Sequence, residues 1–196
     1  MRELSLNVMD IAQNSISAGA KLIVIDICEN THADSLTITV ADNGAGMTAE
    51  QAACAADPFF TTRETRRVGL GVPLFKMEAE MTGGSLEITS EKGVGTTVTA
   101  KFVPSHVDMI PLGDINSTVL LLITCNEDRD FVYHRRVDLR EFTLDTRELR
   151  AVLGNEVKLS SPEVTEWIKG YLTEQTQRLK EESSDEVFRG TSGDKG

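Results

Sequence analysis

Three stretches of this chain carry residue types and spacings that could do chemistry. Asp10 and Asn14 stand at i and i+4, so on a helix they share one face, one turn apart. An acid and a carboxamide placed so can orient a water and hold a hydrated cation against phosphates, because Mg²⁺ keeps most of its waters and takes one or two protein oxygens. A solvated helix face presents the same pair. Asp42-Asn43-Gly44-Ala45-Gly46-Met47 puts a carboxylate where an alternating apolar segment breaks. Its glycines let the backbone bend beside a ligand, although Asp-Asn-Gly is also an ordinary turn signal. Gly69-Leu70-Gly71 precedes a helical pattern, and a GxG that opens a helix offers free N–H groups and the positive end of the helix dipole to phosphate. Arg63, Arg66 and Arg67 just before it can supply the cationic charge that a lid over a polyphosphate needs.

The elements that must position these residues follow from the hydrophobic pattern. Leu4, Val8, Ile11, Ala12, Ser15 and Ala18 recur near a 3.6 spacing, which predicts an amphipathic helix over 3–18 that ends at Gly19. Residues 21–29 and 35–41 alternate and predict two strands, joined through a turn-rich 30–34 into an antiparallel hairpin that ends at Asp42. Thr48 followed by Gln51 predicts a capped short helix over 48–55. A helix with Leu74, Met77, Glu78 and Met81 on successive turns closes at Gly83-Gly84. Residues 85–89 and 96–102 read as two more strands about the tight turn Glu91-Lys92-Gly93-Val94-Gly95. Further on, 119–124 reads as a buried strand, 130–137 and 140–144 as two others, and 145–153 and 160–180 as helices. The 119–180 elements either extend the sheet or form a small docking module. Residues 181–196, charged and rich in Ser and Gly, read as a disordered tail.

A chain of 196 residues with 40% hydrophobic and 26% charged residues can bury a substantial core. Its formal charge of −11 argues against binding to nucleic acid or to anionic membranes, which would repel it. No apolar run is long enough to span a bilayer, and the charged, polar start does not read as a secretory signal, so a cytoplasmic location is expected. Cys28, Cys54 and Cys125 suit reduced thiols in apolar surroundings. The scattered His32, His106 and His134 predict no metal centre.

The order of Asp10 and Asn14, the Asp42 glycine box, Phe59-Phe60-Thr61-Thr62-Arg63, Gly69-Leu70-Gly71 and Gly95-Thr96-Thr97 resembles the ATP-binding domain shared by gyrase, MutL-type repair proteins and histidine kinases, often called GHKL. The stretch from Pro58 through Phe102 is most similar to the histidine-kinase version, whereas Asn14 through Ala20 looks more like the MutL version. The resemblance spans roughly residues 3–103, and four boxes in the right order make it specific.

It implies a two-layer α/β sandwich, a mixed and mainly antiparallel sheet with helices on one face, over residues 1–104, with 105–180 as a small α/β extension. It also implies ATP and Mg²⁺ as ligands. Asp42 would accept from the adenine amino group, and Gly44, Gly46 and Met47 of the same box would line the nucleotide. Asn14 would coordinate Mg²⁺ through the phosphates, Thr96 would support the adenine through water, and Gly69, Leu70 and Gly71 would line the phosphates. The lid would run from about Thr61 to Val68, with Thr61, Thr62 and Arg63 reaching the nucleotide.

Members that hydrolyse ATP carry Glu where this chain has Asp10. Asp is one methylene shorter, and a displacement of about 1 Å can cost ~10²-fold when a water must be aligned, so Asp10 is a weak general base. Histidine kinases commonly carry Lys or Arg where this chain has Ser17, which leaves phosphate charge to the lid arginines. The resemblance therefore implies an ATP-dependent kinase of the histidine-kinase or anti-sigma-factor type that phosphorylates a partner protein, or alternatively an ATP-gated switch or slow ATPase. The first helix starts almost at the first residue, so a phosphoacceptor is expected on another chain.

Overall fold

The computed structural model describes residues 3–55, 71–154 and 157–189. The elements run α1 (Leu4–Ser17), β1 (Leu22–Asn30), β2 (Ser35–Asp42), α2 (Ala49–Cys54), α3 (Gly71–Met81), β3 (Ser85–Glu91), β4 (Gly95–Phe102), α4 (Ile115–Cys125), β5 (Asp130–Val137), β6 (Arg140–Asp145), α5 (Thr146–Leu153) and α6 (Pro162–Arg189). The six strands form one sheet in the order β3-β4-β2-β1-β5-β6. Every pairing is antiparallel except β1 with β5. The fold is thus a mixed, mostly antiparallel sheet with helices, as the resemblance implies.

Alternation decides which face of the sheet is covered. Ile23, Ile25 and Ile27 of β1, Leu36, Ile38 and Val40 of β2, and Phe131, Tyr133, Arg135 and Val137 of β5 are buried in register. They share one core with Leu4, Val8, Ile11 and Ala12 of α1, Phe75 and Ala79 of α3, Val119 and Leu122 of α4, and Ile168 and Leu172 of α6. The opposite face carries Thr37, Thr39 and Thr99, and Thr39 and Thr99 hydrogen-bond across β2 and β4 at 3.2 Å.

The region after Pro104 extends this sheet. The strand pair β5-β6 adds to the edge of β1, and the connection 103–114 returns to the start of α1. There the carbonyls of Pro111 and Leu112 accept from the N–H groups of Leu4 and Ser5 at 3.0 and 2.9 Å. Those donors have no side-chain cap, so the connection does the capping.

The expected buried strand over 119–124 is instead part of α4. A short continuous apolar run fits a buried strand or a buried helix equally, and the flanks decide. Asp114 accepts from Ser117 N at 3.0 Å and from Ser117 Oγ at 2.7 Å, which caps a helix. The buried positions Ile115, Thr118, Val119, Leu122 and Ile123 then follow helical spacing. The helix expected over 160–180 also runs on to Arg189, into the stretch read as a disordered tail. Glu181, Glu182, Glu186 and Arg189 of that stretch are good helix formers, and extending a nucleated helix is inexpensive.

On α3 the buried stripe is Pro73, Phe75, Glu78 and Ala79, while Met77 and Met81 are exposed. Phe75 packs on Phe102 with ring centroids 5.6 Å apart. Cys28 is not in apolar surroundings: its sulfur accepts from Arg136 Nε and Nη2 at 3.0 and 2.8 Å, and Cys125 is exposed. No helix among the described residues is long and apolar enough to cross a membrane.

The bonds from Ser117 hold the Asp114 carboxyl below its ordinary value of 3.8. A lowered carboxyl stabilises the folded state above that ordinary value and loses the contribution as pH falls through its lower folded value. Asp114→Ala should therefore cost about 1 kcal/mol in urea unfolding at neutral pH. The difference from the parent should shrink below pH 3.8. A difference that grows with acidity would exclude this role.

Candidate functional site

The loop after β2 is built by its own side chains. Asn43 Oδ1 accepts from Lys21 N and Leu22 N at 2.8 and 2.9 Å, which ties the loop to the start of β1. Asp42 Oδ1 accepts from Gly44 N at 2.8 Å, an Asx turn that aims the carboxylate. Its Oδ2 accepts from Ser15 Oγ of α1 at 2.7 Å. Ser15 is only 4% exposed, so a hydroxyl occupies a position on the buried face of α1 where a small apolar residue would ordinarily pack.

The far side of the loop is fixed to the β3-β4 turn. Gly46 has φ +62°, and a Cβ there would come within 1.9 Å of Glu91 O. Gly95 has φ +146°, and its Cβ would come equally close to Asp42 O. Gly93 N donates to Ala45 O at 2.7 Å, and Met47 N to Ser90 Oγ at 2.8 Å. Thr96 lies directly opposite Asp42 in the β2-β4 register. Ser90 Oγ donates to Gly95 O at 2.9 Å and lies 2.8 Å from Thr96 Oγ1. With the Ser90 proton committed, Thr96 donates to Ser90 and keeps its own lone pairs as acceptors.

Asp10 and Asn14 are both exposed on α1, one turn apart, with Ser15 next in the chain. Neither side chain hydrogen-bonds a described residue. The first residue of α3 meets Asp10: a Cβ at Gly71 would lie 2.9 Å from Asp10 Cβ. Two helices thus touch where only a glycine fits without displacement. Asn7 Nδ2 donates to Glu78 Oε2 at 2.8 Å, a buried bond that holds α3 against α1 behind this contact.

The structure therefore gathers Asp42, Gly44, Met47 and Thr96 at one end of α1, and Asp10 and Gly71 along it. Thr61, Thr62, Arg63, Gly69 and Leu70 lie outside the described residues. Ser15, Ser90, Asn43 and the Asn7–Glu78 pair, which hold these residues in place, were not singled out from the sequence. A serine in an apolar helical stripe was a readable signal for the first, whereas Ser90 looks like any strand-end residue. No cluster that could hold a metal on protein ligands alone occurs among the described residues.

A family model described as histidine kinase-, DNA gyrase B-, and HSP90-like ATPase matches residues 1–106, more than half of the chain. The chain belongs to this ATPase family. Over 86 residues it is 31% identical to the sensor histidine kinase ZraS of Escherichia coli, a match over 44% of this chain and 18% of that protein. It is 34% identical over 88 residues to sporulation kinase C of Bacillus subtilis, over 45% of this chain and 20% of that protein. The chain thus spans about a fifth of the length of these curated relatives. Its fold is similar to a crystal structure of the N-terminal domain of a DNA repair protein, with TM-score 0.50 and 15% identity over 79% of this chain and 58% of that one. That likeness is one of fold.

Gly46 of the 42–47 loop and Gly93 of the turn that faces it yield a test that needs no ligand. Gly46→Ala introduces both left-handed strain and a backbone collision, whereas Gly93→Ala, at φ +84° with open space around it, introduces strain alone. Chemical unfolding should show a loss of about 1 kcal/mol for Gly93→Ala and at least about 1 kcal/mol more for Gly46→Ala. Equal losses would mean that the loop is not packed on the turn.

Proposed function

We propose that this chain binds ATP with Mg²⁺ between α1, the 42–47 loop and the start of α3, and acts as a kinase-type regulator that passes a phosphoryl group to a partner protein. The Asp42 carboxylate carries this reading. Each of its oxygens takes one hydrogen bond from the protein, from Gly44 N and Ser15 Oγ, and so keeps lone-pair capacity for another donor. A fixed, half-buried, charged acceptor beside the Thr96 oxygen suits the exocyclic amino group and water shell of an adenine.

The remaining residues fit the nucleotide as well. Gly44 is buried, and a Cβ there would press to 3.0 Å on Asp42 Oδ1 and Ala18 O, so the base has a side-chain-free wall. The Asn14 carboxamide, exposed and without a hydrogen-bond partner among the described residues, can hold the hydration shell of a phosphate-bound cation. When bound, ATP supplies the transferable phosphoryl group and Mg²⁺ the charge that offsets it. The family match and the histidine-kinase relatives support nucleotide binding of the kinase type.

Asp10 supports transfer over hydrolysis. Its shorter reach disfavours it as a base for water, so an acceptor side chain of a partner would meet less competition. The alternative, an ATP-gated switch or slow ATPase, draws on the Asp10–Gly71 contact. A nucleotide seated at the start of α3 would bear on that contact and shift α3 relative to α1.

Calorimetry with ATP and Mg²⁺ should show that Asp42→Ala weakens binding by roughly ten- to hundredfold, the value of one hydrogen bond to a charged group. Unchanged affinity would remove the adenine assignment.

With labelled ATP, Mg²⁺ and host lysate, label should pass to a second protein. Release of free phosphate alone, rising further in Asp10→Glu, would favour the ATPase reading instead. Acid-labile label on the chain's own histidines would contradict transfer to a partner.

A further inference from the structure

A cavity lies away from the 42–47 loop, near the start of α1. It measures about 640 Å³ and is bounded by the ends of β1 and β2, the 104–115 connection and α6. Its walls are part apolar, with Leu36, Met109, Ile110, Leu112 and Ile115, and in nearly equal part polar. Its size falls within the range of small-molecule sites, ~300–1,000 Å³.

Arg135 lines it and is only 5% exposed. Strand alternation puts this side chain among Tyr133, Val137 and the helices, on the face where every neighbour in β5 is apolar or aromatic. Its Nε and Nη1 are enclosed with no hydrogen-bond acceptor. Its Nη2 stands 3.7 Å from Glu29 Oε2, an ion pair too long for a hydrogen bond. The Tyr133 hydroxyl adjoins the guanidinium without hydrogen-bond geometry to it. A buried guanidinium with its donors unmatched is costly, and such groups are ordinarily paired. Because Arg135 also lines the cavity, a small movement of its side chain would bring these enclosed donors to an acceptor held there.

From this we infer that the cavity binds a small organic monocarboxylate, its carboxylate on Arg135 and its apolar body against Met109, Ile110 and Leu112. A planar guanidinium matches a carboxylate edge to edge. The charges around the cavity select a monoanion. The lining carries two cations, Arg135 and Lys180, and two acids, Glu29 and Asp114, so a ligand with one carboxylate on Arg135 meets less repulsion than one with two. The Asp114 carboxylate is already held by Ser117, and Asn116 by Leu172 O and Thr176, so the polar rim is fixed in place and Arg135 is the group left to fill. The inference does not rest on the nucleotide reading.

Calorimetry on the whole chain with hexanoate, phenylacetate, hexanamide and inorganic phosphate tests it. At least one of the two carboxylates should bind, with the amide and phosphate weaker by tenfold or more. Arg135→Met should lower carboxylate affinity about ten- to hundredfold. Because that change lies in the core, Ile110→Trp is the second variant: it leaves Arg135 in place, fills the cavity and should abolish binding, with near-UV circular dichroism to show that it folds. No carboxylate binding in the millimolar range, binding unaffected by Ile110→Trp, or phosphate binding as tight as carboxylate would each overturn the assignment.

Discussion

Helix α1 is held at both ends by hydrogen bonds to segments far away in sequence, and the site depends on where that helix sits. Its first donors end on Pro111 and Leu112, and its last turn reaches Asp42 through Ser15. The two kinds of force divide the work. Leu4, Val8, Ile11 and Ala12 are at most 2% exposed, and burying each large side chain contributes roughly 1.5–3 kcal/mol. A net hydrogen bond contributes only about 1 kcal/mol. Burial therefore holds the helix on the sheet, while the directional bonds set its slide and rotation. That rotation turns Ser15 inward to the Asp42 carboxylate and leaves Asp10 and Asn14 outward, from one run of helix.

Electrostatics then constrains what can bind. The chain carries a formal charge of −11, and the described part of the site adds carboxylates at Asp10 and Asp42. Among the described residues no Lys or Arg pairs with either acid. A polyphosphate meeting these two acids would be repelled by them, so a divalent cation or backbone N–H groups would have to offset its charge. A carboxylate such as Asp42 matches a donor group, for example an amino N–H, and repels an anion.

The sequence patterns that proved legible were those in which one local signal had one meaning. The alternation around Ile23, Ile25 and Ile27, the capping box at Thr48 and Gln51, and the turn at Gly93 each fixed an element with its boundaries nearly right. The run Val119 through Ile123 failed because its apolar continuity suits two structures, and Asp114 and Ser117, which decide between them, lie before the run. The residues gathered around the 42–47 loop were half legible. Asp42, Gly44 and Thr96 are marked by glycines and a strand end, whereas Ser15 and Ser90 matter only because tertiary packing sets them against partners 27 and 6 residues away. Arg135 was illegible for a related reason: a strand reading gives alternation, but an arginine in an otherwise apolar register suggests the exposed face until the helices above it are known.

The ends of the helical layer share two rigid members. Strand β2 runs from Leu36 at the cavity to Asp42 at the crevice, and α1 runs from the donors capped by Pro111 and Leu112 to Ser15. Proximity to common elements is not coupling, which requires a ligand to favour one of two arrangements of those elements. The Asp10–Gly71 contact is close, since a Cβ on Gly71 would lie 2.9 Å from Asp10 Cβ, so movement of either helix would be felt by the other there. A shift of α1 along its axis would move its capped first turn at the cavity and the Ser15 hydroxyl at Asp42 together. Any influence between the two sites through α1 would then have to be reciprocal, each ligand changing the other's affinity by the same factor.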